Sequence, residues 1–120
     1  MGRKSAVKGK AGEIELQEIF RQHGFDLERG GTQSYGKKPD LYGLPHIHIE
    51  VKRAERICMP RWLEQAKRDA LKFGDGCPVV FFRQNRQPWF AAMNLETWLK
   101  LYDAYYKQKN WYTDSKFFLS

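Results

Sequence analysis

A chain of 120 residues with 42% apolar and 15% aromatic side chains is long enough to bury one self-sufficient core, so disulfide stapling and intrinsic disorder are both excluded. No run is apolar enough to span a bilayer, and the basic N-terminus lacks the apolar segment of a secretory signal, so the expectation is a cytoplasmic, intracellular protein with no membrane partner. The net charge of +7 points to a polyanionic partner or to no more than a cationic surface, while Cys58 and Cys77, without a CxxC spacing, argue against zinc and for reduced thiols.

Residues 1–12 carry Arg3, Lys4, Lys8 and Lys10 and no acid, and read as a basic N-terminal arm. Such an arm suits a phosphate backbone through counterion release, with a flexible solubilising tail as the plainer alternative. A first helix is expected over roughly Gly12–His23, with Leu16, Ile19 and Phe20 as its apolar stripe and Gly24 as its stop. At about 100° per residue, Glu13 falls within roughly 60° of Leu16 and Phe20, whereas Glu15 and Glu18 fall on the opposite side. An acid on the buried stripe needs a partner; a cation would serve, and so would the helix macrodipole at a partly solvated first turn. His23 is expected on the terminal carbonyls. A strand over Phe25–Arg29 and a polar, basic loop over Gly30–Lys38 follow.

The next two runs are the most informative. Asp40–Leu44 is strand-like and Pro45 makes a turn. His46–Lys52 then alternates, with Ile47, Ile49 and Val51 on one face and His48, Glu50 and Lys52 on the other, the pattern of a half-buried strand. If the two runs pair as an antiparallel hairpin, Asp40 approaches Glu50 and Lys52. Two converging carboxylates can hold a divalent cation, and a lysine beside them can steady or deprotonate an attacking water. Taken singly, Asp40 is a turn residue after Pro39, and Glu50 and Lys52 form an exposed ion pair worth little. Their joint occurrence after a helix with an inward acid carries the signal. His46 and His48 share the Glu50 face; metal ligation or phosphate binding is the alternative, but they read as ordinary polar residues, the ligand set being already oxygen-rich.

A second helix is expected over Pro60–Phe73 with Leu63, Ala66, Ala70 and Phe73 on one face, ended by Gly74 and Gly76. Val79-Val80-Phe81-Phe82 reads as a strand buried on both faces. A turn over Gln84–Pro88, flanked by Arg83 and Arg86, leads to a strand at Trp89–Met93. Asn94 is the expected N-cap of a third helix, Leu95–Tyr106, packing through Trp98, Leu99 and Tyr102. Trp62, Trp89 and Trp98 are assigned to packing. Lys107–Ser120, with Trp111, Tyr112, Phe117 and Phe118, forms an aromatic extension expected to dock on the core or on a partner subunit. The order α-β-β-β-α-β-β-α predicts an α/β protein: a central mixed sheet flanked by helices, with a right-handed parallel crossover from Glu50 to Val79.

Lys8-Gly9, Glu13-x-Glu15-Leu16, His23-Gly24-Phe25, Arg29, Pro39-Asp40 and Glu50-Val51-Lys52 together resemble the PD-(D/E)xK nucleases, in particular the archaeal-type Holliday junction resolvases and their phage and prophage relatives. The likeness runs from Lys8 to Met93. It implies a restriction-endonuclease-like fold over residues 13–106 and a Mg²⁺-dependent endodeoxyribonuclease, with Mn²⁺ as a substitute. It also implies structure-selective cleavage of branched DNA by a homodimer. Glu13, Asp40, Glu50 and the Val51 carbonyl match the metal ligands, Lys52 the catalytic lysine, and Arg29 a DNA-contacting arginine. Gln65 falls where related nucleases keep a supporting polar residue. Lys37, Lys38, Arg53 and the arm residues Arg3, Lys4, Lys8 and Lys10 are the expected backbone clamps. The alternatives are a noncatalytic nucleic-acid-binding module of the same fold and a nuclease for linear or single-stranded DNA. Two departures stand out: Ile14 occupies a position often basic in close resolvases, and the aromatic tail has no counterpart.

Overall fold

The computed structural model describes the backbone of residues 2–30 and 38–111 and the side chains of residues 9–30 and 38–109. The elements are α1 (Gly2–Gln22), β1 (Glu28–Arg29), β2 (Leu41–Tyr42), β3 (Ile47–Arg53), α2 (Met59–Phe73), β4 (Cys77–Arg83), β5 (Phe90–Ala92) and α3 (Leu95–Trp111). The expected order α-β-β-β-α-β-β-α is the observed one.

β3 and β4 run parallel with Glu50 opposite Val80 and Lys52 opposite Phe82, and β5 closes the three-stranded sheet antiparallel to β4. The parallel pair is joined by α2, the expected crossover. Paired residues in a parallel ladder point to the same side, so the sheet has two distinct faces. On one, Ile49, Ile47, Val51 and Phe81 pack with Leu16 and Phe20 of α1 and with Leu27 and Leu41. On the other, Val80 and Phe82 pack with Trp62 and Ala66 of α2. The apolar run of β4 is thus divided between two cores, as its sequence predicts. α2 buries Trp62, Ala66 and Ala70, one per turn, and ends at Gly74, whose φ of 61° lets its N–H reach the Ala70 carbonyl.

Several expectations need correction. The helical backbone begins at Gly2, not near Gly12, so residues 2–12 continue α1. Gly12 marks a close approach instead of a helix start: a Cβ there would stand 2.5 Å from Cγ of Arg53 on β3. Glu15 does not face away from the body, since its carboxylate accepts from Arg83 at 2.7 Å and from the Trp89 indole at 2.5 Å, tying the β4–β5 turn to α1. Arg83 is thereby committed to structure. β2 pairs with β1, not with β3: Glu28 faces Tyr42 and Arg29 faces Leu41. The turn between β2 and β3 holds Gly43 at φ 126° and His46 at φ 70°, which carries β2 off the edge of β3.

α3 starts where expected, with the Asn94 side chain accepting from the Thr97 N–H at 2.9 Å. Among the described residues its predicted packing face is only partly covered, however. Trp98, Leu99 and Tyr102 are about half exposed, as are Tyr105 and Tyr106, and Trp98 stacks on Tyr102 along the helix. An amphipathic pattern states that a face will be covered, not by what. Lys107–Ser120 lies mostly outside the described residues. Both cysteines are free thiols. No helix among the described residues is long and apolar enough to cross a membrane.

Candidate functional site

The polar face of β3 was expected to be solvated. It is covered by α2, so His48 is 1% exposed and Glu50 8%. Isolated charge at such depth is unfavourable, and the residues around it answer that cost. A pocket of about 170 Å³ opens between β3, α2 and the Lys38–Asp40 segment, lined by Asp40, Glu50, Val51, Gln65 and Asp69 among others. Asp40 and Glu50 therefore do meet, although through a turn that packs against β3 and not through a paired hairpin.

Lys52 stands beside the pocket, and it and the lining residues hold one another. Lys52 donates from Nζ to Gln65 Oε1 at 2.8 Å and stands 3.6 Å from Glu50 Oε2. Gln65 in turn offers its amide to the same Glu50 oxygen at 3.4 Å. One glutamine thus fixes both an ammonium and a carboxylate, an arrangement that α2 supplies because Gln65 flanks its buried stripe.

The electrostatics show acids crowded together. Burial first and the neighbouring Glu50 second push the Asp40 carboxyl above its usual value, with Lys52 opposing. Asp40 as a residue is exposed, but surrounding atoms crowd its carboxylate. Glu13 is also raised, by burial and then by Asp40, while Arg29 pulls the other way. Mutual repulsion of this kind is what a divalent cation offsets.

Glu13 lies beside the pocket and not in its lining, its Oε1 3.4 Å from Arg29 Nε. Lys38 sits on the rim, its ammonium 5.0 Å from the centre of the Tyr42 ring and 3.4 Å from that hydroxyl. Arg53 is turned away. It lies on the α1 face, across the sheet from Glu50, donating at 2.9 Å each to the Arg83 carbonyl and the Asn85 side chain. Lys10 is exposed on α1. Lys37 and the side chains of Arg3, Lys4 and Lys8 lie outside the described residues. Among the tryptophans, Trp62 is buried as expected and Trp98 is not.

Sequence reasoning missed four neighbours: Asp69, Asp75, Lys72 and Phe73. Gln65 and Asp69 stand one helical turn apart beside Ala66 and Ala70, a polar strip that a wheel of α2 would have exposed. The reading of His48 as an ordinary polar residue also fails. Its Nδ1 lies 2.9 Å from Asp75 Oδ1, and its ring stacks on Phe73 at 6.1 Å. Burial lowers its pKa, but the carboxylates of Glu50 and Asp75 outweigh that, and the net direction is upward. Nε2 makes no hydrogen bond; the nearest partner, Glu50 Oε1, is at 3.6 Å. Leaving such a buried atom unpaired costs about 1–3 kcal/mol.

A mixed sheet between two helices, with Asp40 and Glu50 lining one pocket and Lys52 beside Glu50, has the form of a PD-(D/E)xK nuclease. The chain belongs to the family described as "Phage putative PDDEXK endonuclease", whose model matches residues 4–119. It is thus a nuclease, a phosphodiester hydrolase of a class that generally uses divalent metals. It is also similar to the Holliday junction resolvase Hjc of Archaeoglobus fulgidus, an archaeal hyperthermophile, at 25% identity over 70% of each chain with a TM-score of 0.49. A search of curated proteins finds no match.

Proposed function

We propose that this nuclease is a divalent-metal-dependent endonuclease of branched DNA, a junction resolvase that works as a homodimer with Mg²⁺ or Mn²⁺. The observation that carries the metal-dependent part is the pocket where Asp40 and Glu50 meet, beside a lysine held at 2.8 Å by Gln65. The branched substrate rests on the spacing of Glu13, Arg29, Pro39-Asp40 and Glu50-Val51-Lys52, which resembles the resolvases. Two-fold symmetry would place two such pockets on opposed strands.

Asp40, Glu50 and the Val51 carbonyl would hold the ion, with Glu13 as an outlying acid; the donor set is hard oxygen and fits Mg²⁺ or Mn²⁺. When bound, the cation would offset the negative charge developing on the phosphoryl oxygens. Lys52, anchored by Gln65, presents its ammonium beside Glu50 and orients the attacking water. No Ser, Cys or Tyr is among the described residues lining the pocket, and the reading is direct attack by water without a covalent intermediate. Lys38 and Lys72 on the pocket wall, Arg29 beside it, and Lys37 with Arg3, Lys4, Lys8 and Lys10 of the basic segment bind the backbone, which favours recognition by shape over base readout.

The test is cleavage of four-way, linear duplex and single-stranded DNA by the wild type and by Lys52→Ala. Metal-dependent cutting of the junction by the wild type is expected, with a loss of about 10²–10⁴-fold in the variant and unchanged DNA binding. Folded protein that cuts none of the three substrates rejects the catalytic reading and leaves a binding module. Equal cutting of linear duplex and junction rejects the resolvase part alone.

A further inference from the structure

The inner wall of the pocket holds a group that the hydrolytic scheme does not use. His48 projects from β3 two residues before Glu50 and is 1% exposed. Its Nδ1 meets both oxygens of Asp75, at 2.9 and 3.1 Å. A carboxylate only accepts, so Nδ1 carries the proton. Nε2, on the opposite side of the ring, is buried and without a hydrogen-bond partner. It is aimed at Glu50 Oε1, and a carboxylate oxygen of Asp69 completes a group of three donor atoms lying within 4.8 Å of one another.

We propose that His48 Nε2, Glu50 Oε1 and Asp69 form a mixed nitrogen–oxygen cation site at the inner wall of the pocket, one that takes a first-row transition ion such as Mn²⁺ in preference to Mg²⁺. The inference takes from the proposed function only that Glu50 stands at a cation-binding pocket. Three features carry it. A ring whose far nitrogen donates to a carboxylate is how metal-binding histidines are fixed in tautomer and orientation, and Asp75 fills that role. Stacking on Phe73 holds the ring plane, so Nε2 cannot swing to another partner. Glu50 divides its oxygens: Oε2 faces Lys52 and Gln65, while Oε1 remains for the His48 side. An imidazole donor favours Mn²⁺ and later ions over Mg²⁺, which takes oxygen ligands and keeps its waters.

The experiment is pulsed electron paramagnetic resonance on the full chain with Mn²⁺ as the sole added metal. Directly bound imidazole imposes ¹⁴N modulation on the Mn²⁺ spin echo, and ¹⁵N-histidine labelling of the wild type changes its frequency without any substitution. The expected result is nitrogen modulation in the wild type, its absence in His48→Gln, and Mn²⁺ affinity at least about tenfold weaker in Asp69→Asn. Asp69 is only partly buried on α2, so that variant reports even if His48→Gln fails to fold. Mn²⁺ that binds without nitrogen coupling, and is lost in Asp40→Asn, overturns this inference and leaves the nuclease centre standing. Modulation that persists in His48→Gln overturns it as well. Failure of the wild type to bind Mn²⁺ at all overturns both.

Discussion

The two faces of β3 are built from the same seven residues and do different work. Ile47, Ile49 and Val51 pack against α1 in a dry core with Leu16, Leu27 and Leu41. His48, Glu50 and Lys52, interleaved with them, lie under α2, where every polar group is answered by Gln65, Asp75 or another charge, save one ring nitrogen. Alternation thus lets one strand supply stability on one side and, in the proposed function, the chemistry on the other. The difference teaches that burial alone does not mark a core: the α2 side is as covered as the α1 side, but what it covers is charged and polar groups that need one another as partners.

The comparison can be broken in order of expected effect. Lys52→Ala, on the chemical face, should reduce cleavage by about 10²–10⁴-fold while thermal stability stays nearly constant; a matching collapse in stability would show the lysine to be structural. Leu16→Ala, against the other face, should lose about 2–5 kcal/mol in chemical denaturation, since Leu16 is 2% exposed, yet leave the cleavage rate per folded molecule unchanged. Gly12→Ala places a methyl against the Arg53 stem and should cost about 1–3 kcal/mol by the same measurement, again without touching the chemistry.

The smallest effect has the opposite sign. Asp40 has a folded pKa raised above the ordinary 3.8, so its ionised form is disfavoured by the fold. Stability is therefore intact below the unfolded value and is lost as pH rises through the folded one. Asp40→Asn should raise Tm in metal-free buffer at pH 7 by about 1–3 °C, with no gain near pH 3, while abolishing cleavage. A lower Tm at pH 7 would mean that the carboxylate is a stabilising ligand of the fold and not a strained one.

Much of this was legible in the chain. The alternation in His46–Lys52 fixed which residues share a face, the four-residue apolar run of β4 announced burial on both sides, and Asn94 announced the start of α3. What periodicity could not supply was the identity of the covering element. It assigned water to the Glu50 face because polar residues alternate there, whereas the polar strip Gln65 and Asp69 of α2 makes that face compatible with burial. The same blindness left His48 as an ordinary polar residue and sent Asp40 to the right place by the wrong pairing, since a left-handed turn residue at His46 is not announced by its side chain. Gly12 misled for a related reason: a glycine that admits a neighbouring side chain looks like one that starts a helix. For α3 the apolar stripe was correctly seen, but its partner is not written in the stripe.

The central claim is that Asp40 and Glu50 share one divalent cation. Isothermal titration of Mg²⁺, the ion an all-oxygen site accepts and a histidine site disfavours, into the wild type, Asp40→Asn and Glu50→Gln tests it without reference to any DNA substrate. Saturable binding by the wild type, weakened by at least about tenfold in each single variant, is the predicted result. Binding that survives unchanged in both variants would contradict the account.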